Sequence, residues 1–485
     1  MRLTIFVLLL LNLAFAKAQE LTQTVSVKGH APDYAGYHLV VRKIVNPITR
    51  ETTDLMTIQV QEDGRFQQSI ELRSIVHASI DMGKFMGYIY LEPGQSYELV
   101  LPPFKPRTDA ERFNPYFIPE EIELGIANDE AQNLNILINQ FNDKLASAYN
   151  ANAVQIFSRA DVTKANGIVK QIDDEFPSQS VYFNKYKQYA YGELINLAYK
   201  RNKRKAMYLA MQGDSIVPSM PSFQKTFDVL FKSFFSYYFS SSKGESLRDA
   251  YAKGASFDSL STVFRKDTLF ANAELAELVL LKGLYDAFYS GRYKEDVIIE
   301  LVKQASHTAS TVRIKQMAEG IYKKLTWLRE GTEAPQFTLY RLDGKERSLS
   351  DYEGKFVYLN FMHTSNHTCK QDLQLLNVFS KQLRRELTIV TVIMDEDPSE
   401  AIKLQKENKY KWDFLHYKAM PKVAVDYQVK ALPAYFVIDP SQKLRLSPSP
   451  SPGESFVPIF SETQRRYHYE QLRKEQPKHK TIYDF

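Results

Sequence analysis

Cysteine is almost absent from this sequence: Cys369 is the only one in 485 residues. A single thiol can close no internal disulfide, so stability must rest on core burial, which a chain of this length can supply. Long apolar runs are also scarce. Beyond the N-terminus no segment reaches the roughly 18 uninterrupted apolar residues that cross a bilayer, so the sequence predicts a chain that does not span the membrane. It holds no Gly-rich phosphate loop, no His-Glu-x-x-His zinc helix and no Gly-x-Ser-x-Gly elbow, which removes the chemistries built on those motifs. The charge excess is small, Lys+Arg 62 against Asp+Glu 57. The basic runs "KRNKRK" (200–205) and "RRYHYEQLRKEQPKHK" (465–480) carry no aromatic–basic pattern of a nucleic-acid module, so nucleic acid is not an expected partner.

What is present begins with the N-terminus. Arg2 precedes an apolar stretch over 3–16, and small residues follow at Ala14, Ala16 and Ala18. That pattern predicts a secretory signal peptide over 1–18, too short for a membrane span. No cysteine stands near the cleavage point, so a lipoprotein anchor is not expected. The chain is expected to be exported, to a periplasmic or extracellular location.

Three regions follow. Over 19–104, runs such as "QTVSVKG", "YHLVVRKI" and "DLMTIQVQ" alternate apolar and polar residues, with turns at "EDGRF" and Pro93-Gly94. Period two with this punctuation predicts an antiparallel β-sandwich, closed by the proline-rich "LPPFKPRTD". Over 105–330 the period changes to that of helices. Leu134, Leu137, Ile138, Phe141 and Leu145 share one face, with Asp129 placed as an N-terminal signal. The aromatic stretch "FDVLFKSFFSYYFSSS" is expected to be helix–helix core rather than a ligand groove. Over 331–470, apolar strands alternate with helices ("KFVYLNF", "KQDLQLLNVFSKQLRREL", "TIVTVIMD", "DPSEAIKLQKEN", "AYFVIDP"), which predicts an α/β layer. A basic tail, 471–485, ends the chain. The acidic "DEDPSE" (395–400) is expected to serve a helix N-terminus.

Residues 331–470 resemble the thioredoxin superfamily, in its exported TlpA/ResA-like, AhpC/TSA-related branch. The residues that carry the resemblance are Ala334-Pro335, Asp343-Gly344-Lys345, Leu349-Ser350, Gly354-Lys355, the strand end Leu359-Asn360-Phe361 and the exit "YQVKALPAYFVIDP". The resemblance implies a thioredoxin-like fold, with Pro433 as the cis-proline and Leu432 before it. The β-sandwich and helices resemble the N-terminal extensions of exported Bacteroidetes proteins with such domains.

The family site is Trp-Cys-x-x-Cys after the Asn-Phe strand end. The matching residues here are Ser365, Asn366, His367, Thr368 and Cys369. The resemblance therefore puts Asn366 at the attacking position and leaves Cys369 at the resolving one. Dithiol exchange needs an attacking thiolate and a second thiol to resolve the mixed disulfide. Asn366 cannot supply the first and suits a helix N-cap instead, accepting an N–H of Thr368 or Cys369. Three roles remain for Cys369: a buried hydrophobe, a monothiol catalytic residue working with an external resolving thiol, or a copper or zinc ligand with His363 and His367. No cofactor is expected. The leading expectation is a binding or scaffold protein of the cell envelope that docks an extended polypeptide, or another envelope protein, beside Leu432 and Pro433.

Overall fold

The computed structural model describes residues 22–475 except 113, 115, 129–132 and 214. The expected signal peptide and the Asp129 helix signal lie outside the described residues. The chain forms two compact units, one of residues 1–106 and 119–325, the other of residues 107–118 and 326–485.

In the first unit, alternation does what it predicts. Strand β1 (Gln23–His30) buries Val25 and Val27 and turns its polar residues outward. It sits in a four-stranded sheet with β4 (Arg65–Leu72), β7 (Ser96–Val100) and β9 (Gly125–Ile126), in the order β4-β1-β7-β9. A five-stranded sheet runs β3 (Thr52–Gln59), β2 (His38–Ile44), β5 (Val76–Met82), β6 (Phe85–Leu91) and β8 (Glu120–Glu123). Inward residues of both sheets, among them Val27, Tyr97, Ile58 and Ile80, make one core. Most pairings are antiparallel, but β1–β7 and β6–β8 are parallel. Strands β8 and β9 follow the proline-rich segment; only sheet edges already in place give such short segments a pairing partner.

Helices from Asn133–Arg159 to Val312–Thr326 build the rest of this unit. On the first, Leu134, Ile138 and Phe141 are buried and Leu137 and Leu145 are packed partly against the same core, which is the face the periodicity predicts. The aromatic stretch is core except at the exposed Tyr237: its Phe227 stacks on Phe223 of the preceding turn at 5.5 Å, and Phe231 meets Phe234 edge-on at 5.5 Å. Side-chain amides tie sandwich to helices. Asn135 caps Tyr90 on both sides, accepting its N–H at 2.7 Å and donating to its carbonyl at 3.0 Å. Asn46 donates to the Met317 carbonyl at 2.9 Å.

The second unit is a seven-stranded sheet in the order β11-β10-β14-β13-β12-β15-β16. Its central strand β12 (Phe356–Met362) is buried at every position, the polar Asn360 included, as a largely apolar run covered on both faces should be. Parallel neighbours β13 (Leu387–Ile393) and β14 (Asp413–His416) lie on one side, and antiparallel β15 (Ala434–Ile438) on the other. The outer strands are β10 (Thr338–Arg341), β11 (Glu346–Ser348) and β16 (Leu444–Leu446). Helices His367–Gln382, Ser399–Glu407 and Phe456–Glu475 accompany the sheet, and the last carries the chain into the basic tail.

Candidate active-site region

Strand β12 ends at Met362, and the helix His367–Gln382 starts five residues later. The intervening turn is fixed from below by Asp395, just past the end of β13. Its buried carboxylate accepts the Thr364 N–H at 3.0 Å and the Thr364 hydroxyl. The neighbouring His363 ring is buried, and its Nδ1 accepts the Ser365 N–H at 3.1 Å. The His416 ring reaches the Asp395 carbonyl at 2.8 Å. Asp395 therefore orders the turn that presents the helix, while Asp397 takes the helix-start role expected of the acidic segment, accepting the Ser399 N–H at 3.0 Å.

Asn366 is the N-cap. Its Oδ1 accepts the Cys369 N–H at 3.2 Å, satisfying one of the backbone donors that a helix start leaves open. Its Nδ2 turns the other way and donates to the Leu432 carbonyl at 3.0 Å. Leu432-Pro433 is a cis peptide, and both residues are half-buried. One amide thus links the helix start to the segment before Pro433.

Cys369 points inward and is 1% exposed, packed in the core with Leu373, Leu376 and Tyr435. Burial pushes its thiol up to about 11, with the Asp372 and Asp395 carboxylates adding to the effect against a backbone hydrogen bond at His363. At neutral pH the group is a neutral thiol. One helical turn further, Asp372 is buried and accepts the Tyr435 hydroxyl. Burial holds its carboxyl above the usual range while that hydrogen bond pulls it down. Tyr435 in turn stacks on Tyr358 at 5.6 Å.

The structure thus brings Asn366, Cys369, Leu432 and Pro433 to one end of β12. It does not gather the three metal-candidate residues: His363 and Cys369 are buried while His367 is exposed on the first helical turn. Among the described residues, no group of three His, Cys, Asp or Glu side chains could hold a metal ion. Three contributors escaped the sequence reading. Asp395 reads as one acid in an acidic run, and Asp372 and Tyr435 gain meaning only because a helix and a strand far apart in sequence meet. An acidic residue at the buried i+3 position from Cys369 was the one available signal for Asp372.

Residues 331–447 match the model of the AhpC/TSA family. The thioredoxin-like protein YneN of Bacillus subtilis is 30% identical over 118 residues, 24% of this chain and 69% of that protein. The chain belongs to the AhpC/TSA family of thioredoxin-like proteins. The thiol-disulfide oxidoreductase ResA of Bacillus cereus is 28% identical over 127 residues, covering 26% of this chain and 73% of ResA. Among solved structures, the thioredoxin domain of a thiol-disulfide oxidoreductase from Bacteroides vulgatus aligns at 22% identity with TM-score 0.26, over 28% of this chain and 98% of that domain.

Proposed function

We propose that this chain is an exported, thioredoxin-like binding protein of the cell envelope that carries out no dithiol exchange. The observation behind the reading is Asn366, which stands where an attacking thiolate would and is committed to Cys369 N–H and Leu432 carbonyl. An amide cannot attack a disulfide, and the one thiol present is buried and protonated at neutral pH. The monothiol alternative needs an exposed, acidic thiol, the opposite of what surrounds Cys369. The docking segment we assign is Leu432-Pro433. An extended polypeptide laid there would compete with the Asn366 amide for the Leu432 carbonyl, so Asn366 sets what binding must displace.

The test joins two measurements on the folded chain. In a disulfide-reduction assay the wild type is expected to be silent, and Asn366→Cys, which places two thiols one helical turn apart, is expected to gain turnover. Labelling of Cys369 by a thiol reagent should be at least about a hundredfold slower than for an ordinary cysteine, since two pH units separate the thiol's pKa from its usual value. Wild-type turnover, or rapid labelling at pH 7, would overturn the reading.

A further inference from the structure

At the other end of β12 from Asn366 lies a cleft of about 1180 Å³ in the thioredoxin-like unit. Seven strand residues at about 3.3 Å each separate the two ends, roughly 20 Å. The cleft is framed where β12, β13 and β14 begin and where the helix His367–Gln382 ends. Its walls carry Arg347, Lys355, Lys381, Arg384, Lys409 and Lys411.

The acidic residues of the cleft do not neutralise this set. Asp413 accepts the Tyr352 hydroxyl at 2.6 Å and pairs with Arg341 at 3.2 Å and Arg347 at 3.6 Å. Asp351 is turned to the backbone, accepting the Ser348 N–H at 3.0 Å. Lys355, Lys381, Arg384, Lys409 and Lys411 are exposed, and among the described residues none of them forms an ion pair. Lys381 and Arg384 sit at a helix C-terminus, where the dipole favours cations. That placement explains two of the five; it does not explain why Lys355, before β12, and Lys409 and Lys411, in the loop before β14, converge on the same space.

Like charges gathered around one concavity repel, and the potential inside a cleft with low-dielectric walls is focused. A multiply charged anion relieves the repulsion of all five at once, which a monovalent counter-ion cannot. Neutral groups are also in place to orient such a guest: the Thr388, Ser380 and Asn377 side chains line the same walls. We propose that this cleft binds a compact, soluble polyanion bearing phosphate or sulfate groups. The site is separate from the Asn366 region and does not depend on the reading given above for that region.

Trp412 lines the cleft and supplies the signal. The full chain is titrated with sodium tripolyphosphate while tryptophan fluorescence is followed. Expected is saturable one-to-one binding at about 20 mM NaCl that weakens at least about tenfold at about 300 mM, where the Debye length falls to a few ångströms. Lys381→Glu/Arg384→Glu should lose at least about tenfold in affinity, while Lys253→Glu/Arg265→Glu, with the same change of net charge on the other unit, stays within about twofold. Three results would each overturn the proposal: no saturable binding at low salt, an equal loss in both double variants, or binding only to phosphatidylglycerol vesicles and not to tripolyphosphate. A fold check by circular dichroism on each variant separates lost affinity from lost structure.

Discussion

Replacing Asn366 by alanine tests whether this residue has become structural. Alanine removes both hydrogen bonds, the cap to the Cys369 N–H at 3.2 Å and the bridge to the Leu432 carbonyl at 3.0 Å. Loss of an asparagine cap costs about 1 kcal/mol. The bridge adds about 1 kcal/mol more, the ordinary net contribution of one hydrogen bond. The expected total is about 2 kcal/mol, or a Tm lower by about 4–8 °C in a domain of this size. Both tryptophans of the sequence, Trp327 and Trp412, lie in the thioredoxin-like unit. Denaturant unfolding followed by tryptophan fluorescence therefore reports on this unit alone. Asn366→Asp keeps the acceptor and loses the donor, so it should fall between wild type and Asn366→Ala. A loss below about 0.5 kcal/mol for Asn366→Ala would refute the two-bond account, since that is the size of an unremarkable surface change.

Two further outcomes follow from titratable groups shielded from water. Tyr435→Phe strips Asp372 of the hydroxyl that stabilises its carboxylate, with an expected cost of about 2 kcal/mol at pH 7. Asp372 has a raised folded pKa, so its contribution favours folding at low pH and is lost as pH rises above the unfolded value near 3.8. The deficit of Tyr435→Phe should accordingly grow between pH 4 and pH 8 in denaturation midpoints; a flat difference would contradict it. In the first unit, burial pushes His77 down to about 4, beneath Tyr88 stacked at 5.1 Å and Tyr90 at 4.6 Å. A depressed folded pKa gives stability that is present above about 6.5 and lost as pH falls toward 4. His77→Phe should remove on the order of 2 kcal/mol of that acid sensitivity, read by thermal unfolding at pH 7 and pH 4.5.

Much of the architecture is legible in local pattern. The alternation of "QTVSVKG" buries Val25 and Val27, the 3.6-residue spacing of Leu134, Ile138 and Phe141 finds the helical core, and the mostly apolar "FVYLNF" lies in the fully covered central strand. Such elements read well because burial of one face is a local property of the chain. Strands Glu120–Glu123, Gly125–Ile126 and Asp413–His416 do not read well. Each is four residues or shorter, and each is held by the edge or neighbour it joins rather than by its own composition.

The same division holds at the site. Sequence alone determined that these 485 residues hold one cysteine, so they offer no second sulfur of their own to resolve a mixed disulfide. It also placed Asn366 at a helix N-cap, since capping is a matter of residue type and three-residue spacing. Only the tertiary structure decided what the remaining groups do. Whether Cys369 faces solvent or core depends on how the helix His367–Gln382 rotates against the sheet, and that rotation buries it. The Asn366 bridge to Leu432, the Tyr435 hydroxyl on Asp372 and the Asp395 clamp on Thr364 join residues 66, 63 and 31 positions apart. Contacts at such separations are set by strand order, and strand order is a property of the folded sheet, not of any window of the chain.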